Sequence, residues 1–121
     1  MKYEWLDEYC LAKQGAIKDF KAEWGATRYQ VGGKMFAMIH TNKEGLPIIS
    51  LKLEPSNGDF FRQEYSDVAP GYYMNKLHWN SLHLEGVVPD RVVKAMIDES
   101  YQLIFSALSK KLQKEITENT Q

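Results

Sequence analysis

The sequence predicts a two-layer α+β sandwich in which an antiparallel sheet is covered on one face by helices from the two ends of the chain. Three patterns predict it: an amphipathic helix near the start, strands joined by short loops, and a long amphipathic helix near the end. The apolar stripes of both helices need a surface to bury them, which one face of a sheet provides. The 121 residues fit one domain, assigned to 1–121, with an ordered core over about residues 3–110 and a partly frayed C-terminal tail.

The first helix is predicted over residues 3–14. Acidic residues occupy its first turns and Lys13 its last, as the helix dipole prefers, and Gly15 provides a left-handed stop. Its apolar stripe recurs at helical spacing and consists of Trp5, Leu6, Tyr9 and Cys10.

Four strands are predicted to follow as an antiparallel meander. Alternating side chains predict strands over 17–24 and 28–31, and Gly32-Gly33 supplies the positive φ of a tight hairpin turn. Residues 34–40 are apolar on both faces, which is typical of a central strand covered on both sides. Residues 48–53 alternate again, with Ile49, Leu51 and Leu53 on one face and Ser50 and Lys52 on the other.

The second half is predicted to hold a short helix, one more strand and the longest helix. Ser56 and Asp59 form a capping-box pattern at the start of the short helix. The side chains that this helix would turn inward are Phe60, Phe61 and Tyr65. The strand places Leu82 and Leu84 on one face. The longest helix begins at Pro89-Asp90, continues weakly through Leu112 and Ile116, and has a stripe of Val93, Ile97, Tyr101, Ile104 and Leu108.

Composition limits the function classes. The formal net charge is -1 and the pI about 6.3, which argues against a protein that coats nucleic acid without discrimination. A single cysteine excludes an internal disulfide and fits a reducing compartment. The first residues mix charges, unlike a signal peptide, and no apolar run approaches the roughly 20 residues that cross a bilayer. We therefore expect a cytoplasmic protein that does not bind membranes.

Five segments in order resemble the MmcQ/YjbR family of small bacterial proteins, and the resemblance runs over about residues 5–108. They are Leu-Ala-Lys-Gln-Gly-Ala at 11–16, Val-Gly-Gly-Lys-Met-Phe-Ala at 31–37, Ile-Ser-Leu-Lys at 49–52, Pro-Gly-Tyr-Tyr-Met-Asn-Lys-Leu-His-Trp-Asn at 70–80 and Ile-Asp-Glu-Ser-Tyr at 97–101. The resemblance implies a CyaY-like fold, that of the bacterial frataxin homologue. It also implies a DNA-binding label that is attributed to a double-wing arrangement.

Two residues depart from the family pattern. Gln14 stands where a proline is common, which changes loop stiffness. Tyr73 stands where a histidine is usual, so a role of that ring in proton transfer or hydrogen bonding does not carry over to this chain.

The segment from Pro70 to Leu84 is the candidate binding surface, because it has no acidic residue and is rich in aromatic, amide and cationic side chains. Cations can meet phosphates, aromatic rings can stack on unpaired bases, and asparagines can read base edges. The alternative is structural, with the aromatics in the core and the asparagines fixing irregular backbone. The candidate residues, including two from the preceding hairpin, are Arg28, Lys34, Tyr72, Tyr73, Asn75, Lys76, His78, Trp79 and Asn80.

Two functions remain open. The first is a non-catalytic module that binds DNA through this basic and aromatic surface. The second is a protein that binds a small molecule, such as an anionic metabolite, or a partner protein in a cleft lined by residues 72–80. The monomer is the default assembly.

Catalysis, cofactors and metals are not expected. No acid or cysteine stands at ligand spacing from a pair of the three histidines. Cys10 lies in the apolar stripe of the first helix, where a buried, inert thiol is the ordinary state. Gly32-Gly33-Lys34 joins two strands and opens no helix, so it lacks the amide cradle of a phosphate loop.

Overall fold

The computed structural model describes residues 2–71 and 74–119. The helices are α1 (Leu6–Leu11), α2 (Pro55–Glu64), α3 (Asp90–Ser106) and α4 (Lys110–Asn119), with a 3₁₀ turn at Ala22–Trp24. The strands are β1 (Ile17–Lys21), β2 (Ala26–Val31), β3 (Lys34–Thr41), β4 (Pro47–Lys52), β5 (Val68–Pro70) and β6 (Trp79–His83).

The strands form one antiparallel sheet in the order β1-β2-β3-β4-β6-β5. After β4 the chain passes through α2 to the far edge as β5 and returns between β5 and β4 as β6. Helix α3 packs on β2, β3 and β4. The predicted α+β class with an antiparallel sheet is confirmed.

A β-bulge in β3 decides which side chains face the helices. Tyr29 pairs with Ala37 and the next residue, Gln30, pairs with Met35, so Phe36 is an extra residue with no partner across the strand pair. Phe36 and Ala37 both enter the core under the helices. Met35 consequently lies on the opposite face of the sheet. Met38, three residues further along the chain, lies on that same face.

The core lies between the helices and one face of the sheet. Buried positions of α3 recur as predicted, with Val93 and Ile97 fully buried. The Phe36 ring contacts the Tyr101 ring edge-on, with centroids 5.3 Å apart. Each such large apolar side chain contributes roughly 1.5–3 kcal/mol when it leaves water. The α3–β3 contact is therefore a principal source of stability.

The start of α2 differs from the predicted capping box. Glu54 is the N-cap residue and Pro55 takes the first helical position. The cap comes from α3, because the Glu99 carboxylate accepts hydrogen bonds from the Glu54 N–H at 2.8 Å and from the Asn57 side-chain amide at 3.0 Å. Asp59 pairs with Arg62 instead. Tertiary contact thus replaces the local cap.

The direction of the aromatic rings on α2 also differs in part. Phe61 and Tyr65 pack against the core as predicted, whereas Phe60 is 57% exposed. Adjacent residues on a helix point about 100° apart, so Phe60 and Phe61 cannot both face inward.

The first helix, predicted over 3–14, is shorter and comprises Leu6–Leu11. Two other predicted boundaries also differ. The strand that begins at Ile17 ends at Lys21, because the 3₁₀ turn and the left-handed Gly25 (φ 60°) reverse the chain there. The last helix is two helices, since the Ser109 hydroxyl accepts a hydrogen bond from the Leu112 N–H at 3.1 Å and caps α4.

The hydroxyl of Ser100 joins α3 to two strands. The β3–β4 ladder ends at the pair Ala37 and Leu51, and the next facing residues are Phe36 and Lys52. Ser100 is fully buried, accepts a hydrogen bond from the Lys52 N–H at 2.8 Å and donates one to the Phe36 carbonyl at 2.5 Å. The Ser100 hydroxyl therefore bridges the Lys52 N–H and the Phe36 carbonyl, which lie just beyond the last residue pair of the ladder.

We expect Ser100→Ala to lower the free energy of unfolding by about 1–3 kcal/mol, because it leaves a buried N–H and a buried carbonyl without partners. Urea unfolding followed by far-UV circular dichroism measures the change. Ser106→Ala, at an exposed position of the same helix, is the control and should change stability by less than about 0.5 kcal/mol. Equal effects of the two variants would contradict this role.

Candidate functional site

The face of the sheet opposite the core is partly covered. Register places Met38, Ser50 and Ser81 side by side on it, across β3, β4 and β6. Met38 and Ser50 are 5% and 0% exposed, and Ser81 is buried as well. We call this surface the open face, because α3 packs on the other one.

A cleft of about 860 Å³ lies on the open face. Its floor is the outer surface of β3, and its walls come from the 3₁₀ turn, the β3–β4 turn and the loop between β5 and β6. The described residues that line it are Glu23, Trp24, Met35, Met38, His40, Thr41, Asn42, Lys43 and Met74.

Trp24 forms an exposed aromatic wall of this cleft. Its side chain is 56% exposed, although tryptophan buries readily. Lys21 Nζ lies 5.0 Å and Arg28 Cζ 5.6 Å from the ring centroid. These cation–π contacts hold the indole in place beside the cleft.

His40 lies at the inner end of the cleft. Its Nε2 lies 2.7 Å from the Ser50 Oγ, and burial lowers the pKa of the imidazole below its ordinary value. A buried imidazole loses hydration when it is charged, so the neutral form is favoured near pH 7. The cleft thus has a neutral polar group beside its sulfur-rich floor.

Arg28, the first predicted cation, is engaged within the sheet. Its guanidinium donates to both Asp19 carboxylate oxygens, from Nε at 2.8 Å and from Nη2 at 2.5 Å. This pair lowers the pKa of Asp19 and raises the pKa of Arg28. Arg28 contacts the Trp24 ring and pairs with Met38, two residues that line the cleft.

Lys34 is exposed at the start of β3, after the hairpin turn. It pairs with Val31, a core residue, whereas Arg28 pairs with Met38 on the open face. The alternation of strand faces therefore separates the two cations. The turn itself is held against the helices, since a Cβ on Gly32 would lie 2.6 Å from Leu108 Cδ1.

The loop between β5 and β6 uses its predicted binding groups internally. Asn75 Oδ1 accepts a hydrogen bond from the Leu77 N–H at 2.8 Å, which forms an Asx turn. Lys76 Nζ donates to the Gly71 carbonyl at 2.9 Å. The His78 carbonyl accepts from the Leu53 N–H at 2.8 Å. Tyr72 and Tyr73 lie outside the described residues.

Trp79 and Asn80 begin β6. Trp79 is half-buried, and its carbonyl accepts a hydrogen bond from the Gly71 N–H at 2.7 Å. Asn80 is 1% exposed and its side-chain oxygen accepts a hydrogen bond from Arg62 of α2. Buried in this way, Asn80 presents no edge to an external base.

The structure does not gather the predicted residues into the cleft. Among the described residues, Met74 alone represents the 72–80 segment in its lining. The residues that sequence reasoning missed are Trp24, Met35 and Met38, together with the β3–β4 turn. An exposed-position tryptophan beside a glycine was a usable signal, but the bulge that puts both methionines on one face leaves no mark in the sequence.

Within the described part of the chain, no cluster of three or more His, Cys, Asp or Glu side chains could hold a metal ion. Burial raises the pKa of the Cys10 thiol to about 12, so the thiolate nucleophile is scarce. Over residues 2–71 and 74–119 there is also no helix with the length and apolarity to span a bilayer.

Comparisons with known proteins agree on one family. The YjbR family model matches residues 11–103. Uncharacterized protein YjbR of Escherichia coli K12 is 37% identical over 109 residues, which cover 90% of this chain and 92% of that protein. Uncharacterized protein YbdF of Escherichia coli O157:H7 is 33% identical over 88 residues, or 73% of this chain and 71% of the relative.

Solved structures share the fold. The crystal structure of Deinococcus radiodurans protein DR2400, domain DUF419, superposes with a TM-score of 0.83 at 27% identity and covers 93% of this chain and 85% of that one. A Pseudomonas syringae protein superposes with a TM-score of 0.73 at 20% identity, over 86% of this chain and 99% of that chain.

We expect the burial of His40 to make stability fall in acid. Because its pKa is lowered in the folded state, the unfolded chain binds the proton more readily below the ordinary value of 6.5. Between pH 7.5 and 5.5 this group should remove up to about 1 kcal/mol. Urea unfolding at both pH values should show a smaller loss for His40→Gln than for wild type. Equal losses would exclude His40 as the cause.

Proposed function

Because the chain belongs to the YjbR family, whose Escherichia coli relatives bear names that specify no activity, we propose a function from the geometry of its own cleft. The protein binds a small, largely apolar organic molecule on the open face of the sheet and does not transform it. The 860 Å³ cleft beside the exposed Trp24 ring carries this proposal.

The size and lining of the cleft support such a ligand. Sites for small organic molecules are typically about 300–1,000 Å³ and combine apolar walls with a few polar groups. Trp24, Met35, Met38 and Met74 supply the apolar contacts, and the polar groups concentrate near the β3–β4 turn. Methionine side chains adapt to irregular shapes, so this floor suits a rigid ring system.

The His40–Ser50 pair supports binding without catalysis. Its atoms are those of a base and a hydroxyl nucleophile, and their 2.7 Å separation would permit proton transfer. Ser50, however, is 0% exposed, so its hydroxyl cannot reach a ligand in the cleft without a rearrangement of the fold. The pair instead holds the imidazole in place.

The free, buried Cys10 thiol and the absence of a bilayer-spanning helix in the described residues fit a cytoplasmic site of action. We include the cytoplasm and the monomeric state in the proposal.

A neutral fluorescent probe, N-phenyl-1-naphthylamine, tests the cleft directly. We expect saturable binding with enhanced probe fluorescence, and we expect Trp24→Ala to weaken it by about three- to tenfold, since an aromatic contact contributes about 0.5–1.5 kcal/mol beyond its area.

Phe60→Ala is the matched control, because Phe60 is 57% exposed, as Trp24 nearly is, and does not line the cleft. It should bind the probe as wild type does. Probe binding that is absent in wild type, or lost equally in both variants, would overturn the cleft as a ligand site.

DNA binding is the second candidate, and one observation favours it. Lys34 is exposed beside the Gly32-Gly33 turn and forms no ion pair with the described residues. Such an ammonium can meet a phosphate as a point charge.

We expect a DNA-binding role of Lys34 to appear in the salt dependence of binding. Fluorescence anisotropy with duplex and single-stranded oligonucleotides, over a series of salt concentrations, gives the slope of log K against log salt. Lys34→Ala should reduce its magnitude by about 1. Lys111→Ala, exposed on α4, is the control. An unchanged slope in Lys34→Ala, or no binding at low salt, would exclude this role.

A further inference from the structure

Methionine sulfur is concentrated in the lining of the cleft. Three of the five methionines of the protein, Met35, Met38 and Met74, are among its nine described lining residues. A random draw from a chain with this composition would place fewer than one methionine there. The concentration is therefore a feature of the site itself.

Two structural features bring these three methionines into the lining of one cleft. The bulge at Phe36 places Met35 on the same face of β3 as Met38. In a regular strand, side chains three positions apart would lie on opposite faces. Met74 arrives from the loop between β5 and β6. That loop is anchored by the hydrogen bonds from Lys76 Nζ to the Gly71 carbonyl and from the Trp79 N–H to the Asn75 carbonyl.

We propose that Met35, Met38 and Met74 form a thioether site for a soft monovalent cation, Cu(I). Thioether sulfur is a soft donor that selects Cu(I), whereas hard divalent cations require oxygen ligands. The described residues offer no cluster of carboxylate, imidazole and thiol ligands for a divalent ion. The site shares the cleft of the proposed organic ligand but does not depend on that ligand.

The surroundings suit a weakly hydrated cation. Met38 is 5% exposed and Met35 and Met74 are half-buried, so the three side chains that line the cleft are partly shielded from water. The Trp24 ring lines the same cleft and can attract a cation through its face. His40 is not required as a ligand, because its imidazole is engaged with Ser50.

Methionine-to-leucine substitutions distinguish this site from an adaptable apolar lining. The two side chains have nearly the same volume, and the exchange costs less than about 1.5 kcal/mol in most cores. The exchange retains the apolar surface and removes the sulfur. The fold should therefore survive the exchange, and binding of Cu(I) should not.

The test is an anaerobic competition titration of Cu(I) against the chromophoric chelator bicinchoninate, with tryptophan fluorescence recorded in parallel. Wild type should take up one equivalent and lose part of its fluorescence. The triple variant M35L/M38L/M74L should bind at least about 100-fold more weakly, since loss of an outer-shell partner alone costs 10–100-fold. Met96→Leu, with Met96 buried in α3, should match wild type.

N-phenyl-1-naphthylamine binding and thermal unfolding of the same proteins complete the design. A triple variant that unfolds at the temperature of wild type but does not take up Cu(I) supports the site. The site is overturned if wild type and the triple variant take up Cu(I) equally, which is the result expected if the Cys10 thiol binds the ion. It is also overturned if wild type takes up no Cu(I). If the triple variant fails to fold, M35L and M74L singly must each weaken uptake, and unchanged uptake in both overturns the site. Wild type that binds Cu(I) but not naphthylamine contradicts only the organic ligand.

Discussion

One extra residue in β3 controls both sides of the sheet. The bulge at Phe36 gives the core two consecutive side chains, Phe36 and Ala37, where regular alternation would give one. The β3–β4 ladder ends beside the bulge, at the pair Ala37 and Leu51, and the Ser100 hydroxyl of α3 donates a hydrogen bond to the Phe36 carbonyl. On the other face the bulge aligns Met35 with Met38. Packing of the long helix and the composition of the cleft floor thus share a single backbone irregularity.

The uneven covering of the sheet explains why the cleft is where it is. Helix α3 packs on the core face, and on the other face the described walls of the cleft come from the 3₁₀ turn, the β3–β4 turn and the loop between β5 and β6. Ser50 and Met38 are still buried there, whereas Trp24 remains exposed. In the loop between β5 and β6, the polar side chains of Asn75 and Lys76 form hydrogen bonds with the backbone of the loop itself. A segment that satisfies itself in this way has fewer groups left for a partner.

More of the architecture than of the candidate site could be predicted from the sequence. The alternation of apolar and polar side chains over 49–53 and the stripe of Val93 and Ile97 could be recognised, because packing against the core requires apolar residues at a regular period. The helix break at Ser109 and the cap from Glu99 were not, since each depends on a contact or a local choice that periodicity does not encode. The cleft could not be predicted for a related reason. Aromatic and basic composition marked the loop, but the cleft is assembled by a register shift and by a tryptophan carried on a turn.

The link between α3 and the rest of the chain has a consequence for synthesis. Glu99 accepts a hydrogen bond from the backbone at the start of α2, and Ser100 forms hydrogen bonds to the backbones of β3 and β4. Two neighbouring residues near the end of the chain therefore bind backbone groups of its first half. A ten-residue helix is marginal by itself in water. On the ribosome, the nascent meander and α2 must therefore remain incompletely bonded until the last third of the polypeptide has emerged.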